Sequence, residues 1–467
     1  MTELRRRLEK PVDLASLAAF RFLLGMVMFA GLWRYVANGW VQTVFVEPTF
    51  FFKYPGFEWV SVPGPLGLYA LFGVSAASAL LVALGAFYRV AIVTFGITFL
   101  YIQLMDVTNY LNHYYLVLLL VGLMAVMPLD GALSVRAFRT RRQSAERDPT
   151  PRAAPAWMLY LLRFQVAVVY VHAALAKVGT DWLVHGQPLN IWMSARNELP
   201  VIGFWLDIPE VALLMSWGGF LYDLSIVPLL LWKRTRPLAY GAVIVFHFFT
   251  WVLFDIGLFP FIMTAATTLF FEPSWPRRVL GAARIPCFEQ RAALEPSDTA
   301  PPRLRAAPAA VVVVYCLFQA VFPLRHWIYE GDVLWNERGM RYAWKVMVRE
   351  KNGSVTYRVK DPESGREWKV SPHRYLDWRQ ANEMAGQPDL IQQLAHHVAH
   401  DFARRGVPGV QVHVDSHASL NGRSPARLID PDADLLTVDP RSGDWILPSP
   451  QGPPVRLNFH TAREKKP

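Results

Sequence analysis

Charge is what this chain has least of for its size. Asp, Glu, Lys and Arg make up 18% of its 467 residues, against about 25% in soluble domains. The shortage falls on residues 11–325, which excludes an ordinary water-soluble fold for that part. Cysteine is scarcer still. Of the two, Cys287 lies in a basic loop and Cys316 inside an apolar run, so on the topology argued below no structural disulfide is expected. There is no phosphate-binding glycine loop and no nucleophile elbow. His396, His397 and His400 share LAHHVAHD, but the HExxH glutamate is missing. The reading there is a solvated helix face, and no metal site is expected; His413 to Ser419 likewise lacks partner ligands. The formal net charge is +10, yet no recognition helix or zinc-finger spacing accompanies it, so nucleic acid is not an expected partner. The opening MTELRRRLEKPVDLASLAAF has no small-residue cleavage site after a short apolar core and reads as an uncleaved first helix.

What the chain does have is long apolar runs. About nine are long enough to cross a bilayer, near 15–36, 65–86, 88–107, 113–129, 157–178, 210–232, 238–254, 257–272 and 308–324. The pair from 238 to 272 is interrupted by Asp255, Gly257 and Pro260. The arginines cluster beside the runs, at Arg5 to Arg7, Arg136 to Arg152, Lys233 to Arg236 and Arg277 to Arg305, the positive-inside pattern. With the N-terminus inside, an odd number of crossings keeps those clusters inside. It puts 37–64, 179–209 and the tail from 325 together outside. The tail alternates apolar and polar residues in RYAWKVMVREKN, SVTYRVKD, REWKVSP, VQVHVDS and ARLID, which suggests strands. LIQQLAHHVAHDFARRG reads as an amphipathic helix ending at Gly406. The expected fold is therefore a mostly α membrane protein: a polytopic bundle of about nine transmembrane helices over 1–325 and an extramembrane, β-rich α+β domain over 326–467.

Polar residues inside the apolar runs are the candidate functional groups. Lys177 ends LLRFQVAVVYVHAALAKVGTDW. Desolvation favours the neutral amine, which makes a buried lysine a candidate base. The competing reading is a lysine that snorkels to the interface marked by Asp181 and Trp182. Arg163, Gln165 and His172 share its helix; Asp223 lies in WGGFLYDLS and His247 in VIVFHFFTW; Asn112 and His113 stand in NYLNHYY. For His172 and Asp223 the structural reading, interhelical hydrogen bonding, is the favoured one. Lys177, His247 and Asn112 as a set favour function.

At these residues the chain resembles the vitamin K-dependent gamma-carboxylase family, whose membrane part is the HTTM domain. The resemblance runs through FRFLLG (20–25), YRV (88–90), NHYYL (112–116), SV (134–135), LRFQVAVVY (162–170) with Lys177 and DW (181–182), and GGFLYDLS (218–225). It continues through FH (246–247), LFDIGLF (253–259), EPSWPRR (272–278), WNERGMRYAWKVMV (335–348) and LNGRSPARLIDP (420–431). It implies that Lys177 is the general base that deprotonates a reduced vitamin K or menaquinol-like naphthoquinol. The quinol then reacts with O2 to a strongly basic alkoxide that takes the γ-proton of a glutamate. CO2 adds, and the quinone leaves as its epoxide. It further implies that Asn112, His113, Tyr170 and His247 orient the quinol or the carboxylate. Tyr342, Trp344 and Met347 would cover the outer mouth of the cavity, and Asn421, Arg423 and Asp430 would brace the tail. Implied partners are the lipid bilayer, the lipid-soluble quinol and a Glu-containing peptide or protein. The implied setting is a plasma or inner membrane in a bacterium, or the endoplasmic reticulum in a eukaryote, with the tail on the outer or luminal side. The chain departs from the animal enzymes in three ways. Asp130-Gly131-Ala132 stands where they carry a histidine tied to carboxylation, and both their luminal disulfide and their long C-terminal part are missing. Two alternatives stay open: a quinol epoxidase without carboxylation, and a transporter or binding protein on the same scaffold, since interrupted helices often line binding sites.

Overall fold

A computed structural model describes residues 3–143, 153–282 and 306–457. Cys287, most of the solvated loop expected at 144–155, most of the 277–305 basic cluster and the terminal AREKKP lie outside the described residues. Each apolar run folds as a helix: α1 (Ala15–Ala37), α2 (Pro65–Leu84), α3 (Tyr88–Leu104), α4 (Asn112–Ala125), α5 (Ala156–Ala176), α6 (Pro209–Leu231), α7 (Arg236–Leu253), α8 (Phe259–Thr267) and α9 (Ala306–Val321). Six of them are long and apolar enough to cross a membrane: α1, α2, α5, α6, α7, and α9 with the 3-10 turns that carry it to Ile328. The shorter α3, α4 and α8 are apolar too. At 1.5 Å per residue, α4 rises roughly 21 Å against a hydrocarbon core of about 30 Å. Six candidate spans thus stand among the described residues, where the sequence suggests about nine. The interruption at Asp255 to Pro260 is a true break between α7 and α8, with Gly257 at φ 62° and Pro260 in the first turn of α8.

One buried cation organises the inner end of the bundle. Arg21 on α1 is wholly buried. Its guanidinium donates to the carbonyls of Val82 (2.5 Å), Ala83 (2.6 Å), Leu129 (3.1 Å) and Leu133 (2.6 Å). Helix C-termini leave carbonyls without partners, and a planar five-donor fork gathers several at once. Gly25, one turn further along α1, lets the two helices touch there. A Cβ on it would lie 2.7 Å from the Ala83 backbone nitrogen. Two short strands, β1 (Pro11–Asp13) and β2 (Ala153–Pro155), pair antiparallel just before α1 and α5.

The tail forms a four-stranded antiparallel sheet in the order β4-β3-β5-β6, from β3 (Lys351–Lys360), β4 (Glu367–Val370), β5 (Gln411–Leu420) and β6 (Ala426–Arg427). Alternation sets its buried face: Val355, Tyr357 and Val359 on β3 meet Val412, Val414 and Ala418 on β5. Two helices cover it, α10 (Trp378–Ala385), which carries a capping box from Asp377 to Gln380, and the expected amphipathic helix α11 (Pro388–Arg404). The segment 341–348, expected as a strand, is irregular. Tyr342, Trp344 and Met347 adopt φ of 64°, 55° and 55°, a conformation no ladder accepts. Beneath it Lys351 reaches Glu337 at 3.7 Å. Burial, with Glu337 opposing and Arg349 reinforcing it, lowers the Lys351 ammonium to about 8.

The loops expected on the tail's side do meet it. Phe52, Tyr54 and Val107 sit in the tail's own apolar core. Gln393 exchanges two hydrogen bonds with the Lys53 backbone, and Trp192 donates to Glu350.

Candidate functional site

The end of α5 faces inward. Lys177, at the C-cap of α5, does not snorkel. Its ammonium turns to α6 and donates to Asp223 Oδ2 at 2.7 Å, and more weakly to the Ala173 carbonyl at 3.3 Å. Both side chains of the pair are 7% exposed. Breaking a buried pair costs about 3–5 kcal/mol because the survivor is left uncompensated. The two residues therefore hold each other in place, and fix α5 against α6. The favoured sequence reading of Asp223, interhelical bonding, is half of the picture: the bond exists, and its partner is the candidate base.

Trp182 lies flat to the same ammonium, its ring centroid 5.1 Å from Nζ, a cation–π contact. Its indole N–H donates to the Ser216 carbonyl at 2.7 Å, so α6 holds that ring as well. The one-turn helix Thr180–Leu183 brings Asp181 to the outer face of this corner. There Asp181 accepts a fork from Arg423 (2.6 and 2.8 Å) and a bond from Asn421 Nδ2 (2.9 Å). Burial pushes the Asp181 carboxyl up, but the Arg423 and Asn421 hydrogen bonds and the guanidinium charge outweigh it and hold it below its ordinary value.

Lys177 and Asp223 open onto a chamber of about 780 Å³, mouth included. Its walls are Val169, Tyr170 and Ala173 from α5, Met215 and Gly219 from α6, Phe246, His247, Phe249, Thr250 and Leu253 from α7, and Phe259 of α8, with Trp182 beside the lysine. Val346 and Met347 of the tail close the outer side. Nearly all of this surface is apolar or aromatic, which is the make-up of a small-molecule site with a few placed polar groups. Phe249, 47% exposed on the outside of the bundle, stands at the rim. Two turns before the lysine on the same helix, the Tyr170 hydroxyl is 3.3 Å from His247 Nε2 and 3.4 Å from the Tyr222 hydroxyl. His247 Nδ1 is buried without a protein partner.

The structure thus gathers Lys177, Tyr170, His247 and Met347 around one cavity. Asn112 and His113 lie elsewhere. Asn112 accepts from the Tyr110 hydroxyl at 2.9 Å, and His113 packs on Phe259 from behind with its Nε2 unbonded. Tyr342 and Trp344 are beside the cover, not over the chamber: Tyr342 packs on Tyr110 and Tyr115, and Trp344 stacks on Tyr115. His172 bonds the Val168 and Ala320 carbonyls and so ties α5 to α9. No group of three His, Cys, Asp or Glu placed to hold a metal occurs among the described residues. Sequence reasoning did not pick out Trp182, Thr250 or Val346. Only the Asp-Trp pair after Lys177 carries a signal in the sequence, and it reads there as an interface marker.

Two family models match the chain. The HTTM domain matches residues 9–275, and the vitamin K-dependent gamma-carboxylase, lumenal domain matches residues 305–452. No solved structure matches.

Proposed function

The chain belongs to the vitamin K-dependent gamma-carboxylase family, with an HTTM domain as its membrane part, and from that premise we propose that the Lys177 chamber binds a reduced naphthoquinol for oxygenation. The observation that carries this reading is a lysine buried against Asp223 in an otherwise apolar cavity. The residues suit the ligand. A fused aromatic ring would be held by Phe246, Phe249, Leu253 and Phe259, and its two polar ends would face the Lys177–Asp223 corner and the His247–Tyr170 wall. Exposure of Phe249 at the rim supports entry from the lipid, where such a ligand dissolves.

When bound, the quinol supplies the reducing equivalents that convert O2 to epoxide and water, one oxygen atom entering the ring and the other leaving with both quinol hydrogens. The protein's part is proton handling. In a dry site the Lys177–Asp223 pair is neutral overall whether the shared proton sits on Nζ or on Oδ2. Transfer to Oδ2 therefore frees the amine lone pair without creating net charge, and Lys177 then accepts a phenolic proton. The resulting ammonium faces the new anion, a pairing worth far more here than in water. A positioned base contributes about 10²–10⁴ in rate. Tyr170 and His247 orient the far oxygen, and the cover keeps out water that would quench a strong base.

Coupling to glutamate γ-carboxylation, with CO2 adding where the γ-proton leaves, is the family's reaction and the first reading for this chain. Epoxide formation without carboxylation is the second. It is favoured by Asp130-Gly131-Ala132, where Asp130 is engaged by Arg136 at 2.7 Å and no histidine is present. The deciding experiment supplies membranes with reduced vitamin K, O2, labelled bicarbonate and a glutamate peptide, then scores epoxide and carboxylated peptide separately by mass spectrometry. Both products support the first reading and epoxide alone the second. Uptake of unchanged quinol into proteoliposomes without epoxide would replace both with a transporter.

A further inference from the structure

We propose that Asp181, Asn421 and Arg423 form a clamp that seats the 346–348 segment over the Lys177 chamber, which makes Asp181 and Arg423 positioning residues for whatever reacts inside. The proposal deepens the functional reading, since it treats that chamber as the reaction site.

The segment that needs seating is strained. Tyr342, Trp344 and Met347 all hold positive φ, a state that side chains with a Cβ avoid and that persists only where the surroundings over-determine it. Met347 and Val346 line the chamber directly. Val348, next in line, is buried in an apolar cluster with Trp182 and Leu253.

Asn421 is where the cover meets the membrane part. It is fully buried, and its side chain does three things at once. Its Nδ2 donates to Asp181 (2.9 Å) and to the Val348 carbonyl (3.2 Å), while its Oδ1 accepts the Glu350 N–H (2.8 Å). Arg423, two residues on, forks onto both oxygens of Asp181 and also donates from Nε to the Gly452 carbonyl at 3.0 Å. A bidentate guanidinium–carboxylate pair fixes direction as well as distance. Asp181 itself cannot drift: it neighbours Trp182, whose ring and N–H are held by Lys177 and Ser216. An unbroken chain of contacts therefore runs from the ammonium through Trp182 and Asp181 to Asn421, and from there into the backbone of the cover. A tether meant only to hold the two parts together would have no need to bond the Val348 carbonyl and the Glu350 N–H.

The test reads the cover without using the chemistry. In full-length protein in lipid nanodiscs, with Cys287→Ser and Cys316→Ser, Thr250→Cys places a thiol on the chamber wall and Ser78→Cys places a control thiol in the buried bundle. Labelling by a water-soluble maleimide is followed with Asp181 and Arg423 intact, in Asp181→Asn, in Arg423→Ala, and in the swapped pair Asp181→Arg with Arg423→Asp. Loss of a charge-assisted fork should raise labelling at position 250 by about tenfold or more, with labelling at position 78 unchanged and the unfolding midpoint lowered by only a few degrees, and the swapped pair should restore protection. Labelling at 250 that is no faster in the clamp variants overturns the proposal. So does labelling that rises equally at 250 and 78, because that is loosening of the whole fold. A protected chamber in a protein that makes no epoxide would sink the quinol reading and leave the clamp standing.

Discussion

Removing either member of the Lys177–Asp223 pair should destabilise the protein, and removing both should not. The two side chains meet at 2.7 Å with 7% exposure each, so in Lys177→Met the carboxyl of Asp223 has neither water nor a cation. It can be neutralised. Protonating an ordinary carboxyl of pKa about 3.9 at pH 7 takes about 4 kcal/mol, at about 1.4 kcal/mol per pH unit. For Asp223→Leu the stranded ammonium must lose a proton from about 10.4, again between about 4 and 5 kcal/mol. These ceilings agree with the cost of about 3–5 kcal/mol for breaking a buried pair. In Lys177→Met with Asp223→Leu no charge remains, and similar apolar replacements are often neutral or stabilising. Thermal unfolding in nanodiscs reads this directly. At about 1 °C per kcal/mol, from about 2.1 cal/mol/K per residue over a chain of 467 residues, each single variant should unfold about 4 °C early and the double near the parent. Epoxide formation should be lost in Lys177→Met and in the double variant, the two that lack the amine. Single effects that simply add in the double variant would show that the pair is not coupled. A Lys177→Met protein as stable as the parent would put the ammonium back at the interface.

Tyr170→Phe should keep the fold and slow epoxide formation by about tenfold, the worth of one hydrogen bond, through the lost contact to His247; an unchanged rate removes Tyr170 from the site. Arg21→Met should cost about 3 kcal/mol or more, because the carbonyls of Val82, Ala83, Leu129 and Leu133 lose their donor. A parent-like unfolding midpoint would contradict that. Lys351 gives a pH signature. Its folded value of about 8 lies below the unfolded one of about 10.4, so between them the unfolded chain binds the extra proton and stability rises with pH. The parent should therefore gain on Lys351→Met between pH 8 and 10, and a constant difference in unfolding midpoints refutes it.

Lengths and periodicities carried the helices, because a bilayer imposes a long apolar run whatever lies inside the bundle. The alternation in SVTYRVKD and VQVHVDS marked β3 and β5 for the same kind of reason: one face had to be buried. RYAWKVMV alternates as well, yet folds irregularly, and nothing local announces three positive φ values; the packing of Tyr342 and Trp344 on Tyr110 and Tyr115 does that, across more than two hundred residues. For the chamber, Lys177 was legible as an expensive residue in an apolar run. Its partner was not. Asp223 is equally expensive, but which polar groups face each other depends on the rotation of α5 against α6, and apolar periodicity is weak in helices that are apolar on every side. Asn112 and His113 show the converse. Their intramembrane polarity singles them out, while the break at Gly257 places Phe259 between His113 and the cavity.

The central claim is that the amine of Lys177 takes the quinol proton inside the chamber. Its most direct measurement is the rate of epoxide formation by Lys177→Met with Asp223→Leu beside the parent, at equal folded fraction and saturating quinol. A fall of about 10² or more is the predicted result; epoxide at the parent's rate from a protein with no amine at position 177 would contradict it.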